Sequence, residues 1–317
     1  MTQAALAAPP RTGQRLVERL AFPVVLCGAV GLHAWALLVG WNLELSVAAA
    51  TFGSMIAVAL LERVYPHHES WLRSHDDVGT DIAHALTIAG LSQAIMPGLI
   101  VVGFAAAHRL EGWFGLELWP ESWPWLAQLP LALVVAELPK YWHHRLQHET
   151  DLLWRYHALH HSAPRLYFLN AARFHPIDIA IDSFLGFVTL FALGCPSEVV
   201  ALFATLSAVH GYFQHANLKI RIGWLNYVFS MAELHRWHHS KTVEEANHNY
   251  GQNLILWDLV FGTFYWPADR EPPEEIGIPD LPAFPMTYFR QLASPFTWGR
   301  IREASRETAS PAPPPTV

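Results

Sequence analysis

Charge is scarce in this sequence. Of 317 residues, 15% are Asp, Glu, Lys or Arg, against about 25% in an ordinary soluble domain. With an apolar fraction of 52%, that excludes a disordered chain, which needs low hydrophobicity and high charge. It also argues against a soluble enzyme. Cysteine is nearly absent. Cys27 and Cys195 both lie in apolar stretches, so neither a disulfide framework nor a CxxC zinc site can be built. Lysine is limited to Lys140, Lys219 and Lys241, with Arg filling the other basic positions. That bias suggests a GC-rich bacterial genome, and so the inner membrane. Net charge is −7 with no basic stripe, which excludes nucleic acid as a partner. There is no phosphate-binding P-loop and no GxGxxG dinucleotide turn. Any reductant must therefore come from outside the chain.

Long uncharged runs are abundant. Residues 21–41 and 82–107 can each cross a bilayer core as a helix. Residues 45–61 reach the lower limit. Residues 123–136 are shorter, and snorkelling of Lys140 would let that span continue through Trp142. Residues 183–197 and 199–214, split by Cys195-Pro196 and Glu198, are each too short to span. They read as a helical hairpin that dips into the membrane, with two thin spans as the alternative. The Arg-bearing start leads into a segment too long for a signal peptide and reads as an anchor. Lys and Arg cluster at the start (Arg11, Arg15, Arg19), at Arg63 and Arg73, from Lys140 to Arg173, and from Lys219 onward. Arg109 alone falls on the opposite side, where Trp113, Trp119, Trp123 and Trp125 form an interfacial belt. The expected fold is an all-α integral membrane protein with about four transmembrane helices, the hairpin, and a cytoplasmic His-rich helical cap. The expected organisation is membrane helices over 1–123, a catalytic domain over 124–267, and a C-terminal loop with a disordered Pro-rich tail over 268–317.

Histidine is the outstanding excess: 19 His beside 20 Lys and Arg. Six lie in 143–161 and six in 210–248. His144 and His148 are i, i+4 and share a helix face. His157-Ala-Leu-His160-His161 places three imidazoles at i, i+3 and i+4, and His235-Arg-Trp-His238-His239 repeats it. His210 and His215 are i, i+5, about 140° apart on an ideal helix, and converge only at a bulge or a helix end. Neutral imidazole suits Fe, Zn, Cu and Ni. Ten His exceed the needs of one ion, so a two-metal site is implied, with open positions for oxygen or water. Other metal signatures fail. His148-Glu149 begins like HExxH, but Leu152 stands where the second His belongs, and Glu245-x-x-His248 is the only Glu-x-x-His.

At these residues the sequence resembles the fatty acid hydroxylase superfamily, also called the sterol desaturase family. The resemblance covers roughly 124–267. It rests on Tyr141-Trp-His-His-Arg-Leu-Gln-His148, His157-Ala-Leu-His-His161, Arg173-Phe-His-Pro-Ile-Asp178, His235-Arg-Trp-His-His-Ser240, Asn249-Tyr-Gly251 and Trp257-Asp-Leu-Val-Phe-Gly-Thr263. The spacing from His148-Glu149 to His157 is similar to that of alkylglycerol monooxygenase, a member of that superfamily. The resemblance implies a membrane di-iron oxygenase that uses O₂ to hydroxylate or desaturate an unactivated C–H of a lipid. It implies His144, His148, His157, His160, His161, His235, His238 and His239 as iron ligands, with His210 and His215 as a fourth cluster. It gives Glu149 a role in orienting a ligand or in handling protons. Electrons would come from a separate protein, a ferredoxin or cytochrome, or from a pterin.

Several residues have plainer readings. Candidates to orient the imidazoles are Glu137, Glu149, Asp151, Glu233 and Asp258. Asp258 can equally cap a helix or turn. His175, before Pro176, sits on turned or extended backbone, as a substrate-side group or a simple turn residue. His143 faces away from His144, and His248 reads as structural. His67, His68 and His75 read as solvated. His33 lacks a nameable partner. Asp81 and His84 open the third span, where they can cap it or lean toward the site. Gly251 suits a tight turn at positive φ. The competing function is a His-rich metal transporter or metal-binding protein, which would put its ligands near the bilayer midplane.

Overall fold

The computed structural model describes residues 12–115 and 117–309. Arg11 and the Pro-rich stretch beyond 309 lie outside them. Within them the chain forms helices and no β-strand. Three helices are long and apolar enough to cross a membrane: α1 (Thr12–Val39), α2 (Leu43–Val64) and α3 (Val78–Phe114). Their boundaries follow local chemistry. Gly40 at φ 66° ends α1, and the Asn42 side chain caps α2 by accepting from Leu45 N at 2.8 Å. Gly115 at φ 66° ends α3. These helices leave many apolar side chains outward, Leu38, Phe52, Leu60, Leu86 and Val101 among them. Lipid solvates such faces; water would not.

α4 (Trp125–Glu149) has the length of a span but a different interior. Lys140 does not snorkel. It is buried, with its Nζ 3.1 Å from Asp182 Oδ2. Glu137 is buried too, accepting from Asn253 N (3.1 Å) and Leu254 N (2.8 Å). A buried charge is tolerated only when paired and hydrogen-bonded, so α4 is clasped by protein along its second half. α5 (Asp151–His161) follows after one residue. α6 (Pro176–Ser183) runs through a π-helical turn (Phe184–Val188) into α7 (Thr189–Ala192). Gly194 at φ 84° and Pro196 then reverse the chain into α8 (Ser197–His215), closing a helical hairpin.

α8 is the central post. One core joins it to α4 and α7 through Leu133, Ala136, Leu190, Phe191, Leu202, Phe203 and Leu206. A second joins it to α1 and α2 through Phe22, Val58, Val209 and Phe213. α3 approaches α7 so closely that a Cβ on Gly103 would sit 2.2 Å from Phe191 Cβ. Small residues allow such contacts between membrane helices. Gly103→Ala is therefore expected to destabilise the helix bundle by about 1–3 kcal/mol, read as a lower unfolding midpoint in detergent; an unchanged midpoint would refute the contact.

Short helices complete the cap: α9 (Ala232–His238), α10 (Val243–Ala246) and α11 (Leu256–Phe261). The C-terminal region is more ordered than its composition predicts. α12 (Tyr288–Ala293) and α13 (Trp298–Ala309) follow the 269–285 loop. Leu281, Phe284, Trp298 and Ile301 pack on Ala158 and Leu159 of α5.

Other histidine expectations are revised. His33 is fully buried and has a partner, the Ser46 hydroxyl at 3.3 Å from its Nδ1. His67 and His68 are only partly exposed. His68 N donates to Asn217 Oδ1 (2.9 Å), and both rings pack beside Trp71, His67 edge-on and His68 tilted. Trp119 is buried, donating to Gln128 Oε1 at 2.7 Å, whereas Trp113 and Trp123 are exposed.

Candidate metal centre

Nine of the ten expected histidines converge. His144, His148, His157, His161 and His238 form one group, and His160, His215, His235 and His239 another. In each group the candidate ligand atoms lie within 4.8 Å of one another. Both HxxHH triplets are shared between groups. α5 sends His157 and His161 to the first group and His160 to the second. The second triplet, on α9 and its C-cap, does the reverse, sending His238 to the first and His235 and His239 to the second. Adjacent residues on a helix diverge, so two facing triplets can line two centres at once.

Six of the nine rings have their outer nitrogen held, while His235 Nδ1 and His239 Nδ1 are buried without a partner among the described residues. His144 Nδ1 donates to Tyr250 O (2.7 Å), His238 Nδ1 to His248 O (2.8 Å), and His160 Nδ1 to Arg173 O (3.2 Å). His157 Nδ1 lies 3.1 Å from Asp178 Oδ2, His148 Nδ1 3.2 Å from Asn247 Oδ1, and His215 Nδ1 2.9 Å from Asn170 Oδ1. A carbonyl can only accept, so each imidazole bonded to one carries its proton outward and turns a bare Nε2 inward. The Nε2 atoms of His144 and His157 are 3.1 Å apart, and those of His215 and His235 are 3.0 Å apart. Facing lone pairs repel unless a cation lies between them. Nitrogens at about 2.1 Å from one ion, at right angles, are about 3 Å apart. The donor set therefore fits metal.

Burial keeps these rings neutral. Desolvation first, and neighbouring imidazoles second, lower His157, His160, His161, His235, His238 and His239 well below the usual histidine value. Burial also pushes the Asp178 carboxyl up to about 7, opposed by its hydrogen bond from Gln147.

His210 joins neither group. α8 is regular there, so the i, i+5 spacing turns His210 away from His215. Its buried ring packs edge-on to Phe22, 5.6 Å between centroids. His175 is a helix cap: its Nδ1 accepts from Ile177 N (3.1 Å) and its Nε2 donates to Leu292 O (3.2 Å). Glu149 is half exposed and pairs with Arg145 at 2.7 Å, touching no imidazole. Asp258 acts on backbone. Its carboxylate accepts from Tyr250 N (2.8 Å), Gly251 N (2.7 Å) and the Thr263 hydroxyl (2.6 Å), and burial raises its pKa to about 6. It thus fixes the loop whose Tyr250 carbonyl orients His144. Positive φ in that loop belongs to Asn249 (56°). Gly251 is needed for another reason: a Cβ there would lie 2.1 Å from Leu254 O.

Glu137, Asp151 and Glu233 bond elsewhere and hold no imidazole. Asp178, Asn170 and Asn247 do. Asp178 was visible in the Arg173–Asp178 motif. The two Asn and the three carbonyls carry no sequence signal.

Two cavities flank the groups. One, of about 150 Å³, is bounded by His144, His157, His160, His215 and His235 and by Gln147, Asp178, Asp182, Ser207, Gln214, Gln252 and Asn253. The other, of about 260 Å³, opens beside His148, His161, Glu149, Trp154 and Asn247.

The fatty acid hydroxylase family profile matches residues 129–263, which contain all nine imidazoles. Over 286 residues the chain is 38% identical to the ornithine lipid hydroxylase OlsE of Rhizobium tropici, covering 89% of this chain and 84% of that protein. It belongs to the fatty acid hydroxylase family. Other members are more distant. Identity to alkylglycerol monooxygenase of Homo sapiens is 29% over 215 residues, 66% of this chain and 46% of that protein. To methylsterol monooxygenase 1 of Rattus norvegicus it is 28% over 152 residues, 46% of this chain and 50% of that protein. The chain thus spans half or less of the length of these two. No solved structure matches significantly. This fatty acid hydroxylase family member is a membrane oxidoreductase that hydroxylates lipid C–H bonds, and the metal-transporter reading is set aside.

Proposed function

We propose that the two histidine groups each hold one iron ion, and that the pair uses O₂ to hydroxylate an amino-acid-bearing membrane lipid of the ornithine-lipid type. The observation that carries this reading is the convergence of nine imidazoles into two groups, five of the rings bordering one cavity. The extent of identity to the ornithine lipid hydroxylase supports the substrate class. Bound iron would supply the activation of O₂. One oxygen atom goes to the C–H carbon, and the other leaves as water after taking two electrons and two protons from an external donor.

The residues divide the remaining work. Asp178, Asn170, Asn247 and the carbonyls of Tyr250, Arg173 and His248 orient imidazoles and fix which ring nitrogen faces inward. Gln147, Asp178, Asp182, Gln252 and Asn253 wall the cavity with hydrogen-bonding groups. These amides and carboxylates can offer further hydrogen bonds to the polar end of an aminolipid. The reacting C–H is therefore placed at or near the head group. Glu149 stands on the rim of the second cavity, on a side suited to proton and electron delivery. The catalytic unit spans 124–267. α4 and the α6–α8 hairpin add a fourth span and a membrane-dipping element to α1–α3. The Lys and Arg distribution supports a histidine cap on the cytoplasmic side, and the scarcity of Lys beside Arg supports a bacterial inner membrane, where a separate redox protein can reach the cap.

The test is expression in a bacterium that makes ornithine lipid, under ¹⁸O₂, with mass spectrometry of the lipids. A product heavier by one ¹⁸O, with the label in the head-group fragment, is expected. Label in an acyl fragment would overturn the head-group placement. Unchanged ornithine lipid beside a labelled different lipid would overturn the substrate class.

A further inference from the structure

The geometry points to a division of labour in how the two histidine groups are held: Asp77 and Asp81 on the membrane helix α3 position the second group alone. This rests on the metal-holding reading above. Asp77 and Asp81 are i, i+4 at the start of α3 and both are buried. Each takes a buried arginine from the segment between α5 and α6. Arg165 binds Asp77 through Nε (2.8 Å) and Nη2 (2.9 Å). Arg173 binds Asp81 through Nε at 2.5 Å, and the Tyr167 hydroxyl donates to the other Asp81 oxygen at 2.7 Å.

The same two arginines carry the backbone acceptors of the second group. Arg173 O accepts from His160 Nδ1 at 3.2 Å. Arg165 O accepts from Asn170 Nδ2 at 2.6 Å, and Asn170 Oδ1 meets His215 Nδ1 at 2.9 Å. So each guanidinium is anchored to α3 while its own carbonyl, directly or through Asn170, sets a ring of the second group. The outer nitrogens held in the first group use Tyr250 O, Asn247, Asp178 and His248 O. None of these lies in 165–173. The two metals thus have separate supports, and a membrane helix grips one of them.

The prediction concerns metal affinity. Loss of an outer partner costs about 10–100-fold in metal binding. Asp81→Asn should weaken the second group by that factor and leave the first unchanged. The measurement is iron per chain in the purified full-length protein, titrated with a chelator. It is made in three backgrounds: wild type, His148→Ala and His239→Ala. Asp81→Asn should release one equivalent early from wild type, release the remaining equivalent in His148→Ala, and change nothing in His239→Ala. Equal loss from both groups, or no loss, would overturn the proposal. A wild type that binds no iron would instead sink the metal-holding reading itself.

A purely structural role is separated by pairing Asp81→Asn with Arg173→Met. Replacing both partners of a buried ion pair relieves the uncompensated charge. If the pair served folding only, the double variant would regain both stability and iron. Positioning predicts regained stability with the second iron still loosely held. Should Asp81→Asn fail to insert, Tyr167→Phe removes one bond to Asp81 and must still loosen only the second group.

Discussion

Alanine at His238 should remove one iron and essentially all hydroxylation, and alanine at His239 should remove the other. These neighbours sit at i, i+1 and are both fully buried, yet they face different groups. His238 joins four imidazoles from α4 and α5, and its Nδ1 is fixed on His248 O. His239 joins His160, His215 and His235, with its Nε2 3.0 Å from that of His235. Removing either ring leaves its group one donor short and the other group intact. Elemental analysis should read about one iron per chain in each variant and none in His238→Ala/His239→Ala. If one single variant loses both metals, the groups form one indivisible centre and the assignment fails. His210→Ala is the companion control: its ring faces Phe22, so the iron content should not move.

Gly251→Ala should be nearly as damaging without touching a ligand. The new Cβ would lie 2.1 Å from Leu254 O and 3.0 Å from Asp258 Oδ2, so backbone must shift. The displaced segment carries Tyr250 O, the acceptor that orients His144. A fall of about 10–100-fold in the first group's metal affinity is expected, together with a stability loss of about 1–3 kcal/mol. Asp258→Asn attacks the same loop from the other side, because an amide cannot accept well from both Tyr250 N and Gly251 N. The two changes act on one unit. Their effects on iron retention should therefore be strongly non-additive in a double-mutant cycle. Additive effects would show that Asp258 and Gly251 support the site independently.

Much of the site was legible because helical spacing is local. The two HxxHH triplets and the HxxxH pair each declare a shared face, and eight imidazoles follow from period alone. His215 was legible as half of a doubtful pair; only the uninterrupted course of α8 shows that it points inward and His210 does not. The division of each triplet between two groups depends on how α4, α5, α8 and α9 face one another. No spacing rule contains that.

The supporting groups divide the same way. Charged candidates invited attention, but Glu137, Asp151 and Glu233 went to backbone amides, arginines and an asparagine: burial makes an unpaired charge at Glu137 costly, and the exposed Asp151 meets Arg155 and Arg302 on the surface. Imidazoles are neutral donors at Nδ1, and a backbone carbonyl satisfies one as well as a carboxylate does. Backbone carbonyls have no signature in sequence. Lys140 shows the same limit. The sequence left snorkelling open for it, and only the approach of α6 supplied Asp182.

By itself the sequence determined the material of the protein: apolar runs that lipid must solvate, helices without strands, and imidazoles spaced for one helical face. Those are local properties, fixed by residue type and by a repeat of 3.6 residues per turn. Tertiary structure alone decided which nine rings converge and how they divide into two groups, that a carboxylate serves His157 while carbonyls serve His144, His160 and His238, and which side chains border the cavity beside them. Those outcomes depend on elements distant in the chain meeting at hydrogen-bond distance, and long-range packing sets that distance.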